Sequence, residues 1–336
     1  MTASPATIKD VARVAGVSVA TVSRALNGAE NVLPHTRQRI LDVARELRYS
    51  PSGAARSLIT RRTDTIGALL PDLHGEFFSE LIRGIDQAAR ARGLHLLLSS
   101  SHDDASEAAA ALRAMNGRVD GLVVMSPHAD DDFLSQNLPP SLPTVLLNSG
   151  VREPSQRVFA VDNFGGAREM TEHLVRSGRR RIAFLGGPAA NFEARERERG
   201  YRAGLPAGAR PWLIEGDFSE AGGERAGAHL LGLAAAERPD AVFAANDIMA
   251  IGLLGALQAG GVRVPEDIAV AGFDDIPVAR YISPALTTMR VPIAALGSQA
   301  LDALATALDG SAPAGPAGAT VMPVQLVVRR SCGSRP

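Results

Sequence analysis

Arg24 carries the most specific chemistry near the start of the chain. It lies in the run Val19 to Asn27, where Val22, Ala25 and Leu26 recur at helical spacing and leave Val19, Ala20, Ser23, Arg24 and Asn27 as the opposite stripe. A guanidinium presented this way can donate a bidentate pair to guanine O6 and N7, while Val19 and Ala20 suit the thymine methyl. Each good pair is worth about 1–3 kcal/mol of base discrimination. Thr7, Thr21, Ser23, Asn27 and Thr36 are suited to phosphate oxygens, and Ser18 stands where it can cap the run and lie beside the same backbone.

A second set of polar residues follows apolar, strand-like runs further along. Carboxylates there accept from hydroxyl pairs, so Asp72, Asp247 and Asp274 read as binders of a hydroxyl-rich small molecule. Asp162, Asn163 and Asp275 are equally well explained as helix caps. Glu76 and Glu193 lie close to these positions in the chain and disfavour a phosphate or carboxylate ligand, which leaves a neutral sugar or glycoside.

Several function classes lack their residues. There is no phosphate-binding GxxxxGK[ST] loop, no GxSxG elbow, no GxGxxG after a strand, and the seven histidines are scattered without metal-ligand spacing. The chain is therefore expected to be no enzyme and to need no metal and no cofactor. One cysteine excludes an intrachain disulfide, and Cys332, in a Ser/Gly/Arg/Pro tail, is expected to be an exposed bystander. No charged head with an apolar run and cleavage site opens the chain, and no stretch approaches the roughly 20 apolar residues that cross a bilayer, so a cytoplasmic location is expected. Those absences also count against a transport receptor outside the membrane.

The elements that must position these residues can be read from spacing. Thr7-Ile8-Lys9-Asp10 is a capping box ahead of a helix with Ile8, Val11, Ala12 and Ala15 on one face. Gly16-Val17-Ser18 is a turn into the Arg24 helix, and Pro34 opens a third helix with Ile40, Val43, Ala44 and Leu47 inside, under-capped by Leu33. Two short helices across a tight turn, with the small Ala12 and Gly16 at the crossing, make a helix-turn-helix whose second helix reads DNA. Pro51 then starts a segment of one or two turns, too short to be stable alone, with Ala54, Ala55 and Leu58 on one face. Two such segments could pair and push Leu58 between base pairs as a wedge.

Charge supports the division. Residues 1–62 hold ten Lys/Arg against four acids, a net +6, whereas the whole chain is −1, so the rest is −7. A basic head on an acidic body is the footprint of phosphate binding confined to one module. Beyond Thr65, near-continuous apolar strands alternate with amphipathic helices, and two successive β-α-β series break near Asp162. That predicts an α/β body of parallel sheets in two doubly wound lobes, with ligands in the cleft at the carboxyl ends of the strands.

The run TIKDVARVAGVSVATVSRALNG resembles the N-terminal signature of the LacI/GalR family of bacterial regulators, and YSPSGAARSLITRRTDTIGALLPD resembles its hinge and the start of its core. PDLHGEFFSELIRGI, GPAANFEARERERGY, AANDIMAIG and VAGFDDIPVARYISPALTTM are similar to later blocks of the family. The resemblance implies a helix-turn-helix headpiece (1–49), a hinge helix and linker (50–62), and a periplasmic-binding-protein-like core (63–336). It implies an N-lobe of 63–161 plus 292–321 and a C-lobe of 162–291 plus 322–330. It also implies a homodimeric repressor on a pseudo-palindromic operator, with Leu58 as the intercalating leucine and Ala55 and Arg56 beside it. By position it places Phe77, Phe78 and Asn148 on one wall of an effector pocket, and Asn191, Arg197, Phe218, Asn246 and Asp274 on the other. The helix Phe78–Arg92 and the segment Ile276–Ser283 are then the expected dimer surfaces.

Overall fold

The structure, a computed structural model, describes residues 6–26, 29, 31–49, 62–126, 131–137, 141–149, 157–310 and 319–333. Asn27 and the hinge residues Ala54, Ala55, Arg56 and Leu58 lie outside the described residues. The chain forms two compact units, residues 1–63 and 64–336.

In the first unit, α1 (Ile8–Ala15), α2 (Val19–Leu26) and α3 (Pro34–Glu46) enclose a core of Val11, Ala12, Ala15, Val22, Ala25, Val32, Ile40, Val43 and Ala44. The capping box expected at α1 is present. The Asp10 carboxylate accepts from the Thr7 backbone N–H (3.1 Å) and also from the Thr7 hydroxyl (2.7 Å). Gly16 ends α1 at φ 64, a left-handed conformation that strains any residue with a Cβ. Ser18 then accepts from the Thr21 N–H at 3.1 Å and starts α2. Leu33 gives α3 no side-chain cap, and Pro34 stands in its first turn, where no donor is needed.

The second unit carries two six-stranded sheets. In the first, β1 (Thr65–Leu70), β2 (His95–Ser100), β3 (Gly121–Met125), β4 (Thr144–Leu147), β5 (Arg157–Val161) and β11 (Ala319–Met322) lie in the order β11-β5-β4-β3-β1-β2, all parallel. In the second, β6 (Ile182–Leu185), β7 (Trp212–Ile214), β8 (Ala241–Ala244), β9 (Ala269–Asp274), β10 (Thr287–Arg290) and β12 (Gln325–Val327) lie in the order β12-β10-β9-β8-β6-β7, with only β12 antiparallel. The chain thus changes sheet after Val161, after Arg290 and after Met322.

The inner strands β1, β3 and β4 are apolar on both faces because both are covered, whereas the edge strands β2 and β11 are more exposed. Leu69, Leu122, Val124, Leu146 and Val158 point to one core, and Ile66, Ala68, Leu70, Val123, Val145 and Leu147 to the other. Helix α4 (Glu76–Ala91) covers this lobe together with α11 (Ile293–Leu308). The two meet so closely that a Cβ on Gly84 would lie 2.0 Å from the Ala294 carbonyl oxygen. The inner face of the Phe78–Arg92 stretch is therefore spent on α11, leaving only its outer face for any partner.

Cys332 is not the exposed residue expected. It is 1% exposed, and the Thr287 hydroxyl lies 3.1 Å from its sulfur. Arg179 reaches the carbonyls of Asp240, Pro265 and Cys332 and ties the tail to the lobe, a long-range bond that local composition does not announce.

Candidate nucleic-acid interface and ligand cleft

On the headpiece, Val19, Ala20 and Arg24 are exposed while Val22 and Ala25 are buried, so the stripe faces solvent. Ser18 and Thr21 are already engaged with each other, Oγ to Oγ1 at 2.9 Å, in starting α2. Thr36 lies within 3.1 Å of the His35 ring. The Ser18 and Thr21 hydroxyls fix the start of the reading helix, and Thr7 does the same for α1.

In the body the cleft is built on α7 (Asn163–Arg176) and α8 (Phe192–Gly204). A Cβ on Gly200 would sit 2.3 Å from the Phe164 carbonyl oxygen, so only glycine permits this approach. It places Arg197 over Asn163, whose Oδ1 accepts from Nε at 2.8 Å. Nη1 of Arg197 donates to the Ala245 carbonyl at 2.5 Å, and the guanidinium lies 3.9 Å from the centroid of the Phe273 ring. Nη2 stands 3.3 Å from Asp274 Oδ1 and 3.6 Å from Glu193 Oε1. The charged run of α8 thereby divides by depth. Arg199 pairs with Glu196, and Arg202 with Glu198, in solvent, while Arg197 is the one arginine of the helix that is buried, at 3% exposure.

Hydrogen bonds reach across the cleft from one lobe to the other. The Asn148 side-chain amide donates to Glu193 Oε1 at 2.8 Å, and the Val278 N–H donates to Glu76 Oε2 at 2.9 Å. Asn148 ends β4 in the left-handed region (φ 47), a conformation asparagine tolerates, and its Oδ1 accepts from the Val161 N–H. Asp274 has φ 117, an uncommon backbone held at the end of β9, which turns its carboxylate toward Arg197.

Burial drives the electrostatics. Desolvation pushes Glu193 up to about 7, with Arg197 opposing and Asp274 adding to the rise. Desolvation likewise raises Asp274 to about 6 against the pull of Arg197. Asp274 Oδ1 completes no hydrogen bond.

The remaining candidates fall into smaller groups. Phe77 and Phe78 form an edge-to-face pair with centroids 5.4 Å apart, both half-buried. Asn246 caps α10 (Asp247–Ala259) through the Met249 N–H and donates to the Phe218 carbonyl at 3.1 Å, while the Phe218 ring lies against Gly187. Asn191 caps α8 through the Ala194 N–H. One reading needs correction. Asp247 is fully buried, its oxygens taken by the Ile276 N–H and the Thr288 hydroxyl, so it braces β10 rather than presenting a carboxylate to a ligand. Glu76 is a lobe-to-lobe tie. Asp72 is exposed and accepts from the N–H groups of Leu73 and His74, holding its own turn.

Asn163 and Glu193 carry more of the site than their sequence context suggested. The helical spacing of Glu193 four residues before Arg197 was the available signal. A surface cavity of about 690 Å³ near Gln258, Pro265, Arg280 and Arg330 shares no residue with this cleft. Among the described residues, no group of three or more His, Cys, Asp or Glu is arranged to hold a metal ion, and no helix is long and apolar enough to cross a membrane.

A DNA-reading headpiece on a two-lobed ligand-binding body defines a class of gene regulator. Residues 7–52 match the family described as "Bacterial regulatory proteins, lacI family", and residues 171–332 match a "Periplasmic binding protein-like domain". The chain is 36% identical over 307 residues to the HTH-type transcriptional repressor PurR of Aliivibrio fischeri, covering 89% of this chain and 90% of that one. Its fold matches the lac repressor dimer bound to operator and the anti-inducer ONPF with a TM-score of 0.87, at 30% identity over 98% of this chain and 99% of that one. It also matches the transcriptional regulator CelR in complex with cellobiose, with a TM-score of 0.72, at 32% identity over 97% and 99%. The protein belongs to the lacI family of bacterial regulatory proteins.

Proposed function

We propose that the protein is a cytoplasmic homodimeric repressor with no enzymatic activity and no cofactor, and that a sugar or glycoside bound between its lobes sets its affinity for a pseudo-palindromic operator. The observation that carries this reading is the Arg197 cluster. Groups from both lobes, Asn148 on one and Glu193, Arg197 and Asp274 on the other, converge there, so a ligand in the cleft changes the lobe-to-lobe bonds directly. Operator DNA in one structural relative and cellobiose in another support the two partners assigned.

In this reading Val19, Ala20 and Arg24 meet base edges. Thr7, Ser18, Thr21, Ser23, Asn27 and Thr36 meet the backbone, and Ala55, Arg56 and Leu58 enter the central minor groove. Asp72, Phe77, Phe78, Asn191, Phe218 and Asn246 surround the ligand held by Asn148, Arg197 and Asp274. Tyr281, 78% exposed, lies in the segment assigned to the dimer surface. Linkage requires that operator change effector affinity by the same factor as effector changes operator affinity. Titration calorimetry of the effector with free and operator-bound protein tests this, and equal affinities in the two titrations refute it. Removal of residues 1–60 abolishes DNA binding and leaves the ligand site.

A further inference from the structure

The cleft holds more buried negative charge than positive. Glu193 and Asp274 are 6% and 5% exposed and converge on the same nitrogen, Nη2, of one cation, Arg197. Asp247, also buried, is close enough to Asp274 for the two charges to repel. The groups packed against the cluster from other elements are neutral: the Asn148 amide at the end of β4, the Asn163 amide on α7 and the Phe273 ring on β9. Asp275 does not share the deficit, because Arg290 and Arg329 both pair with it.

The shortage is visible in two independent ways. Asp274 Oδ1 is buried without a hydrogen bond. Glu193 and Asp274 both hold their protons more tightly than ordinary carboxylates, at about 7 and about 6, because Arg197 only partly offsets their burial. Two buried carboxyls thus share one cation, and Arg197 balances them only in part. A carboxylate or phosphate would deepen the deficit. A hydroxyl supplies a donor without a charge, whereas an ammonium supplies three donors and the charge together, and charge-assisted hydrogen bonds are roughly twice as strong as neutral ones.

We propose that the effector is an amine-bearing polyhydroxyl compound, an amino sugar or its glycoside with the amine unacylated, whose ammonium docks between Glu193 and Asp274. This rests on the sugar reading of the cleft and narrows it. Glu193 is then the specificity residue of the site.

The test uses the full chain at pH 7 and sets of related sugars: glucose, glucosamine, N-acetylglucosamine and glucuronate, the matching galactose set, and cellobiose with the deacetylated glucosamine disaccharide. Thermal shift finds binders, and calorimetry gives their affinities. In at least one set the amine is expected to bind ten-fold or more tightly than its neutral and acetylated counterparts, with no binding of the acid. Glu193→Gln is expected to cut that preference below three-fold, and Glu193→Asp to restore part of it. A neutral or acetylated member that binds as tightly as the amine overturns the inference and leaves the sugar reading standing. Binding of the acid overturns the inference, and no binding by any member overturns both. Should the Glu193 variants fail to fold, the wild-type pH profile decides. Affinity for the amine rises between pH 5.5 and 7.5 as the two carboxyls lose their protons, and a flat or falling profile refutes the proposal.

Discussion

Arg24 and Arg197 sit on helices of eight and thirteen residues and are prepared in opposite ways. Arg24 projects from α2 into solvent, and the helix beneath it is held by a cap and a small apolar core. Arg197 is buried, with Asn163, the Ala245 carbonyl, Glu193 and Asp274 around it. The first arginine can be removed without disturbing its module, because its partners arrive with DNA. The second is part of the core and of the site at once, since the two buried carboxylates depend on it. A regulator built this way can vary its DNA specificity by single surface substitutions, whereas its ligand pocket evolves under a stability constraint.

Arg197→Met should show the largest effect. It leaves Glu193 and Asp274 buried without a cation and is expected to cost about 3–5 kcal/mol of stability, measured by denaturant unfolding. A loss under 1 kcal/mol would break the contrast between the two arginines.

Glu193→Gln should change the pH dependence of stability. The pKa of Glu193 is raised in the folded protein, to about 7, so its contribution is present below its ordinary value and lost as pH rises through 7. Wild-type stability is expected to fall as pH rises from about 4.5 to about 7 and to level off above that. The variant should lose most of that slope, a difference of about 3 kcal/mol by pH 8.

Arg24→Ala is expected to leave the melting temperature unchanged while weakening specific operator binding by about 1–3 kcal/mol, with discrimination relaxed at one base pair. Footprinting and competition with unrelated DNA check this, and uniform weakening on all sequences would recast Arg24 as a phosphate contact. Ser18→Ala, the smallest, removes the cap of α2 and should lower headpiece stability by about 1 kcal/mol, seen by thermal unfolding.

Much of the molecule was legible in the sequence because it rests on local rules. Capping residues, Gly16 and helical spacing located α1 to α3, and the near-continuous apolar strands beyond Thr65 announced the parallel sheets of the body. The strand-end rule brought Asp274 forward, and the family resemblance added Arg197 and Asn148. What spacing could not separate was the role of chemically similar acids. Asp247 and Asp274 both follow strand-like runs, yet one braces β10 and the other faces Arg197, a difference made by Thr288 and Ile276, which are distant in sequence.

The sequence by itself determined the architecture: a basic three-helix head, an acidic α/β body, and the alternation of strand and helix that makes its sheets parallel. Those depend on side-chain periodicity and turn chemistry, which act over a few residues. Only the tertiary structure decided which arginine of ARERERG is buried, that Asn148 and Glu193 meet across the lobes, and that Cys332 lies in the core. Burial and charge balance depend on residues brought together from distant parts of the chain, as Asn163 and Arg197 are at 34 positions apart and Asn148 and Glu193 at 45, and no local pattern encodes that. For Arg24, exposure follows from a helical face and could be read directly. For Arg197 it follows from Gly200, which lets two helices touch.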